Sequence, residues 1–316
     1  MRAAVTGASG FIGNNLARRL LREGHEVHLI LRPGYNTWRL NDLAEQVSIL
    51  EVDIQDVENL NDGIKNIRPD CLFHFAAYGA YSWQTDFPQM VETNLIGTAN
   101  LIQACQAAEV GAFINIGSSS EYGLKKSAPA ETGHLEPNSH YAITKAAATM
   151  HCHTQDFGMH MVTLRPYSIY GPYEEPNRLI PTLLIHGLEN KLPPLVNPDV
   201  ARDFVYVDDM VSACLLAASP DTESNEIYNV GTGVQTSIRQ IVELSIELMA
   251  ISAAPEWGSM ENRQWDTQCW VADSQKIQSI LGWKPKVSLK DGLLKMLEWF
   301  GKNHAMKKYY GKTIEL

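Results

Sequence analysis

The chain has 316 residues, of which 45% are hydrophobic and 20% charged, so it can bury a large core without covalent staples. Its formal net charge of -10, with no basic run, argues against a nucleic-acid partner. Cys71, Cys105, Cys152, Cys214 and Cys269 lie far apart without CxxC spacing, and no apolar run reaches membrane-spanning length, which excludes a disulfide framework, a zinc site and a membrane protein.

In chain order, short apolar runs predict strands at Ala3–Thr6, Glu26–Leu31, Val47–Val52, Cys71–Phe75, Ala112–Ile116 and Met159–Leu164. Amphipathic segments separate most of them. In Phe11–Glu23, for example, Phe11, Ile12, Leu16 and Leu20 share a face. Apolar helices are expected over Met90–Ala108 and from His140 onward. Such alternation implies a parallel sheet covered on both sides. After Arg165 the rhythm breaks, and Pro172, Pro176, Pro181, Pro193, Pro194 and Pro198 mark a loop-rich region. Ile227–Gly233 reads as one more strand and turn, followed by helices near Ser237–Met249, Ser274–Leu281 and Leu289–Asn303. The expected architecture is α/β, a doubly wound Rossmann domain over residues 1–167 with returning segments near 203–232. A smaller discontinuous lobe takes 168–202 and 233–316, and the cleft between them is the expected active site.

"TGASGFIG" places Gly7, Gly10 and Gly13 directly after the first strand, with Phe11 and Ile12 opening the helix. Glycines there permit a tight turn and let the backbone approach a pyrophosphate on the helix N-terminus. The second strand ends in Leu31-Arg32 without a carboxylate. An arginine at that place suits a 2′-phosphate, so NADP(H) is the preferred cofactor and NAD(H) the alternative. In a competing reading, Arg32 is only a surface residue. Asp53, with Ile54 in "EVDIQD", either lies near the adenine or caps the next helix.

"HYAITKAAA" sets Tyr141 and Lys145 four residues apart, on one helix face. An ammonium beside a phenol favours the phenolate and makes Tyr141 a usable acid and base. "HCH" at His151, Cys152 and His153 suggests a metal pair, but residues two apart in a helix do not share a face, and no metal is expected. Adjacent Glu174 and Glu175 in "PYEEP" read as a solvated loop.

With "TGASGFIG", "HFAAYGAYS", "NLIGTANL", "GSSSEYG", "YAITK", "LRPYSIYGP", "ARDFVYVDDM", "IYNVGTG" and "LGWKP", the chain resembles the extended short-chain dehydrogenase/reductases of the nucleotide-sugar epimerase/dehydratase group, over nearly its whole length. The resemblance implies a catalytic hydroxyl at Ser118, proton transfer by Tyr141, and Lys145 on the nicotinamide ribose. It puts Asn94, Ala76 and Ala77 beside the cofactor, and Ser119, Ser120, Arg202 and Arg263 at the substrate diphosphate sugar. Arg263 has surface salt bridging as its competing reading. Ser168 departs from the family pattern, which often has Asn there. A homodimer through the Met90–Ala108 and His140 helices is implied by analogy, in a reducing, cytoplasmic setting.

Dehydratases of this group carry Asp and Glu directly after the catalytic hydroxyl, to supply the acid and base that dehydration needs. Ser119 and Ser120 stand there instead, so dehydration is not expected. The texture is most similar to CDP-abequose-synthase-like 4-ketoreductases. The expected activity is NADP(H)-dependent reduction of a nucleotide-diphospho-4-keto-6-deoxysugar. A NAD-dependent 4-epimerase is the alternative. A non-catalytic NADP sensor is disfavoured because both Tyr141 and Lys145 are present.

Overall fold

The computed structural model describes residues 1–261, 267 and 269–314; Arg263 lies outside them. The strands are β1 (Arg2–Thr6), β2 (Glu26–Leu31), β3 (Ser48–Glu51), β4 (Cys71–His74), β5 (Ala112–Ile116), β6 (His160–Pro166), β7 (Ser168–Tyr170), β8 (Ala201–Arg202), β9 (Phe204–Tyr206), β10 (Glu226–Val230) and β11 (Thr236–Ser237). The helices are α1 (Phe11–Arg22), α2 (Val57–Ile67), α3 (Phe87–Val91), α4 (Gly97–Ala107), α5 (His140–Cys152), α6 (Leu179–Gly187), α7 (Val207–Ala217), α8 (Ile238–Met249), α9 (Gln275–Ile280), α10 (Leu289–Lys302) and α11 (His304–Ile314).

Seven strands form one parallel sheet in the order β10-β6-β5-β4-β1-β2-β3. The side-chain period of two sorts its residues to opposite faces. Ala3, Val5, Leu29, Phe73 and Ile114 pack with Leu16 and Leu20 of α1 and Met210 and Cys214 of α7. Ala4, Ile30, Leu72 and Phe113 pack with Leu60 and Ile64 of α2 and Leu101 and Cys105 of α4. Burial on both faces explains why these strands read as unbroken apolar runs. A further core joins α6, α8, α10 and α11 through Leu183, Leu184, Ile241, Val242, Leu293, Phe300 and Tyr310. β7 pairs β9 in parallel, and β8 pairs β11 antiparallel.

The sequence predicts one continuous helix over Met90–Ala108. The structure instead inserts a wide π-turn, Glu92–Ile96, between α3 and α4. That turn carries Asn94 into the interior, fully buried. Single π-turns of this kind concentrate at functional sites. The strand order reverses between β1 and β4, so the loops leaving their carboxyl ends open a crevice. Among the described residues, no helix is long and apolar enough to cross a membrane.

Candidate active site

The glycine loop fills that crevice. Gly7 has φ 66°, and a Cβ on it would stand 2.5 Å from the Ala76 nitrogen. A Cβ on Gly13 would stand 2.7 Å from the Gly7 carbonyl. The Gly10 N–H donates to the Gly7 oxygen at 2.9 Å and closes the turn. Gly10 is also the N-cap of α1, and no side chain caps the helix. The first N–H groups of α1, at Phe11, Ile12 and Gly13, therefore face outward without a capping acceptor, which is what a phosphate requires. Ala76 and Ala77 follow β4 directly across from this loop. The Ala76 N–H donates to the Thr6 hydroxyl at 3.2 Å, and Thr6 and Thr98 bracket the His74 ring at 2.8 and 2.9 Å. Burial, with Lys145 acting in the same sense, pulls His74 down to about 3, so this imidazole is neutral.

At the far end of the crevice, Arg32 is exposed just past β2. Asp53 spends one carboxylate oxygen on the Gln55 N–H at 2.9 Å. Asp56, and not Asp53, caps α2, accepting from the Asn59 N–H. Ile54 is buried, and its carbonyl accepts from the Asn100 amide at 3.0 Å.

The serines lie at the carboxyl end of β5. Ser118 is the N-cap of the short 3₁₀ turn Ser119–Tyr122, and its hydroxyl accepts from the Ser120 N–H at 3.1 Å. Ser118 and Ser119 are buried, whereas Ser120 is partly open. Tyr141 sits in the first turn of α5, which Ser139 caps at the Ala142 N–H. The nearby Ser118 hydroxyl favours the ionised form of the Tyr141 phenol, but burial outweighs it and pushes the phenol up to about 12. From the sequence, Lys145 is expected to tune this phenol. Desolvation is the largest influence on the phenol, although Tyr141 keeps part of its surface open.

Lys145 is 2% exposed, and desolvation lowers its pKa against the pull of Glu121 and Cys152. Among the described residues, no group accepts a hydrogen bond from its ammonium. A buried cation in that condition fits hydroxyl or phosphate oxygens of a ligand. Together with the glycine cradle, this makes the residues present a fit for a dinucleotide.

Several residues at this edge leave no signal in the motif reading. Glu121, fully buried, accepts from the Ser118 N–H at 2.8 Å, the Thr149 hydroxyl at 3.0 Å and Arg165 Nε at 2.8 Å. Arg165 also donates to the Tyr122 hydroxyl, which in turn donates to Asn229. This network fixes the 3₁₀ turn that presents Ser118. Glu121 and Arg165 stand inside "GSSSEYG" and "LRPYSIYGP", so the motifs contain them without marking their pairing. Asn94 gives its amide to the Tyr78 backbone in both directions and to Thr144 at 2.9 Å, next to Lys145 on α5. Asp203, buried, accepts from the N–H groups of Thr232, Gly233 and Ala272. Glu174 is not solvated, being 6% exposed, and the partly exposed Glu175 pairs with buried Arg39 at 3.1 Å.

Arg202 lies at the end of β8, with its guanidinium 5.8 Å from the Trp270 ring centroid. Ser168 spends its N–H on the Asp203 carbonyl at 2.9 Å. His153, from the suspected metal pair, contacts Asn225 and Thr163 instead.

The phosphate cradle and the Ser–Tyr–Lys strip share one edge of the sheet, the arrangement of a dinucleotide-dependent enzyme of the extended short-chain dehydrogenase/reductase class. Residues 3–231 match the NAD dependent epimerase/dehydratase family, and the chain belongs to that family. It is 29% identical over 316 residues to the UDP-glucose 4-epimerase of Mycolicibacterium smegmatis, covering 95% of this chain and 98% of that one. The crystal structure of UDP-glucose 4-epimerase from Thermotoga maritima with UDP-glucose superposes with a TM-score of 0.87 at 29% identity, covering 96% and 100% of the two chains. The Thermus thermophilus UDP-glucose 4-epimerase in complex with NAD gives 0.84 at 28% identity, covering 95% and 99%.

Proposed function

We propose that this chain is a NAD-dependent nucleotide-sugar 4-epimerase. The observation that carries the reading is that Tyr141 and Ser118 stand at the same sheet edge as the glycine cradle and the buried Lys145, whose ammonium finds no hydrogen-bond acceptor among the described residues. The relatives' names and their NAD complexes support the 4-epimerase over the NADP(H)-dependent 4-ketoreductase that the sequence favours. Ser119 and Ser120 supply no acid or base for a dehydration.

In this reading Gly7, Gly10, Phe11, Ile12 and Gly13 hold the pyrophosphate, with Ala76, Ala77 and Asn94 along the dinucleotide and Arg32, Asp53 and Ile54 at its adenosine end. Lys145 holds the nicotinamide ribose. Bound NAD supplies the hydride acceptor and a positive ring charge that favours the Tyr141 phenolate. Ser118 hydrogen-bonds the C4 oxygen. Tyr141 would take the proton of the C4 hydroxyl as C4 gives up hydride to the bound NAD, and would return that proton to the C4 oxygen when, after the 4-keto sugar has turned, hydride comes back to the other face of C4. Ser119, Ser120, Arg202 and Arg263 contact the nucleotide sugar.

The 4-ketoreductase keeps one observation in its favour, the exposed Arg32 where a 2′-phosphate would lie. One assay separates the two. Purified enzyme is given UDP-, dTDP- and CDP-linked hexoses and their 4-keto-6-deoxy derivatives, and both sugar configuration and NAD(P)H absorbance are followed. Interconversion of C4 epimers without net NAD(P)H consumption is expected. Tyr141→Phe should cost about 10²–10⁴-fold in kcat, while leaving NAD affinity within about twofold. Stoichiometric NADPH oxidation by a 4-keto sugar, without epimerisation, would overturn the epimerase in favour of the reductase. In that case Arg32→Ala should weaken NADPH far more than NADH.

A further inference from the structure

The loop from Gly171 to Glu175 is held from two sides. On the sheet side, the Asn15 amide of α1 donates to the Pro172 carbonyl at 2.9 Å. Arg39 does more. Its Nε donates to the Tyr173 carbonyl at 2.7 Å, its Nη2 reaches the Glu175 carboxylate at 3.1 Å, and its Nη1 donates to the Ser9 carbonyl at 3.2 Å. Ser9 lies within the glycine loop, so one guanidinium, 4% exposed, ties that loop to residues 173–175.

On the other side stands the C-terminal helix. The Tyr310 hydroxyl of α11, fully buried, donates to the Glu174 carbonyl. The Trp38 ring lies 4.8 Å from Tyr309 and 4.0 Å from the Arg39 guanidinium. The Tyr173 ring lies 5.0 Å from Trp299 and 4.1 Å from the Arg18 guanidinium. Contacts therefore run unbroken from α11, through the 172–175 loop and Arg39, to the phosphate cradle. They join segments more than 250 residues apart.

We propose that Arg39 is a positioning residue for the phosphate loop and that α11 is the clasp that holds it in register. Arg39 keeps the Ser9 carbonyl turned onto the guanidinium. A carbonyl free to swing toward the α1 N-terminus would set its negative end against a bound phosphate. Tyr310 holds the 172–175 loop, and thereby two of the acceptors that orient Arg39. The clasp thus governs how long a dinucleotide stays bound. This rests on the reading that the dinucleotide lies on the glycine loop.

The full chain is tested as wild type, Arg39→Lys, Tyr310→Phe and the double variant. Lysine keeps the charge and loses the fork; phenylalanine keeps the ring and loses the hydroxyl. The readouts are NAD affinity by calorimetry and NAD release by stopped flow, both at 25 °C and well below the measured Tm, with hydrogen exchange of residues 7–13. Each single variant should speed NAD release by about fivefold or more. The double variant should be no worse than the poorer single, because both act through one path. Exchange of residues 7–13 should rise. Should Arg39→Lys not fold, Tyr310→Phe alone carries the test. Unchanged release and affinity in variants of a wild type that binds NAD would overturn the clasp, even if Tm falls. A wild type that binds neither NAD nor NADP would overturn the dinucleotide reading and the clasp with it.

Discussion

Two pulls act on the Glu174 carboxyl. One oxygen lies 3.8 Å from Arg178 Nε, which favours the charged form. The other, Oε2, is buried and finds no hydrogen-bond partner among the described residues. Burial prevails and pushes the group up from 4.5 to about 8. The sign of the linkage follows. An acid whose folded pKa lies above its unfolded value binds more protons when folded between the two values, so stability falls as pH rises between them. From pH 5 to pH 8 this one group contributes a loss approaching ~1.4 kcal/mol per pH unit at most. Glu174→Gln removes that slope, since the amide does not titrate. Urea denaturation at pH 6 and pH 8 should show the wild type losing stability relative to the variant at the higher pH. Parallel curves would show that Glu174 is ionised throughout.

The turn after β5 and the strand β6 meet through the Glu121–Arg165 pair, 0% and 2% exposed in their side chains. Glu121→Gln leaves a buried guanidinium without its counter-charge, a loss of about 3–5 kcal/mol. It also slackens the bond to the Ser118 N–H, so kcat should fall at temperatures where the variant is folded. A change below about 1 kcal/mol by denaturation would mean that water or Tyr122 compensates for the lost charge. The same region shows what the sequence makes legible. β2 and β5 begin and end where the apolar runs do, because strands buried on both faces write themselves as continuous hydrophobic stretches. Gly7, Gly10 and Gly13 are equally visible, since their spacing reflects a local backbone requirement. Glu121 with Arg165, Arg39 with Ser9, and Asn94 with Thr144 are not visible. Each joins residues far apart in the chain, and a pairing across the fold imposes no period on either segment. The π-turn at Glu92–Ile96 is hidden for another reason: its composition is that of any helix, and only the clasping of Asn94 by Tyr78 makes the wider turn worthwhile. Glu174 misleads because two charges beside prolines resemble a solvated loop until the fold buries Glu174 and Tyr310 of α11 closes on its carbonyl.

For the whole molecule, the outer faces of α3, the π-turn and α5 are the feature left unpartnered. Phe87, Ile96, Ile143 and Met150 are 37%, 42%, 44% and 63% exposed. Ile143 and Met150 stand seven apart on α5 and share a face, while Lys145 points from the same helix into the core. Large apolar side chains on adjacent helices favour association with another surface of the same kind. We propose that a second copy of the chain provides that surface, in a two-fold homodimer in which each α5 packs against its mate. The double variant Ile143→Glu/Met150→Glu sets like charges across the axis, at a site where neither side chain supports the core. By light scattering after gel filtration at micromolar concentration, the wild type should elute at twice the chain mass and the variant at the single-chain mass. The variant should keep its far-UV signature and bind NAD, because both replaced side chains are exposed and neither belongs to the glycine loop. A wild type that runs as a monomer across that range would remove the dimer. A variant that remains dimeric would move the interface to another face.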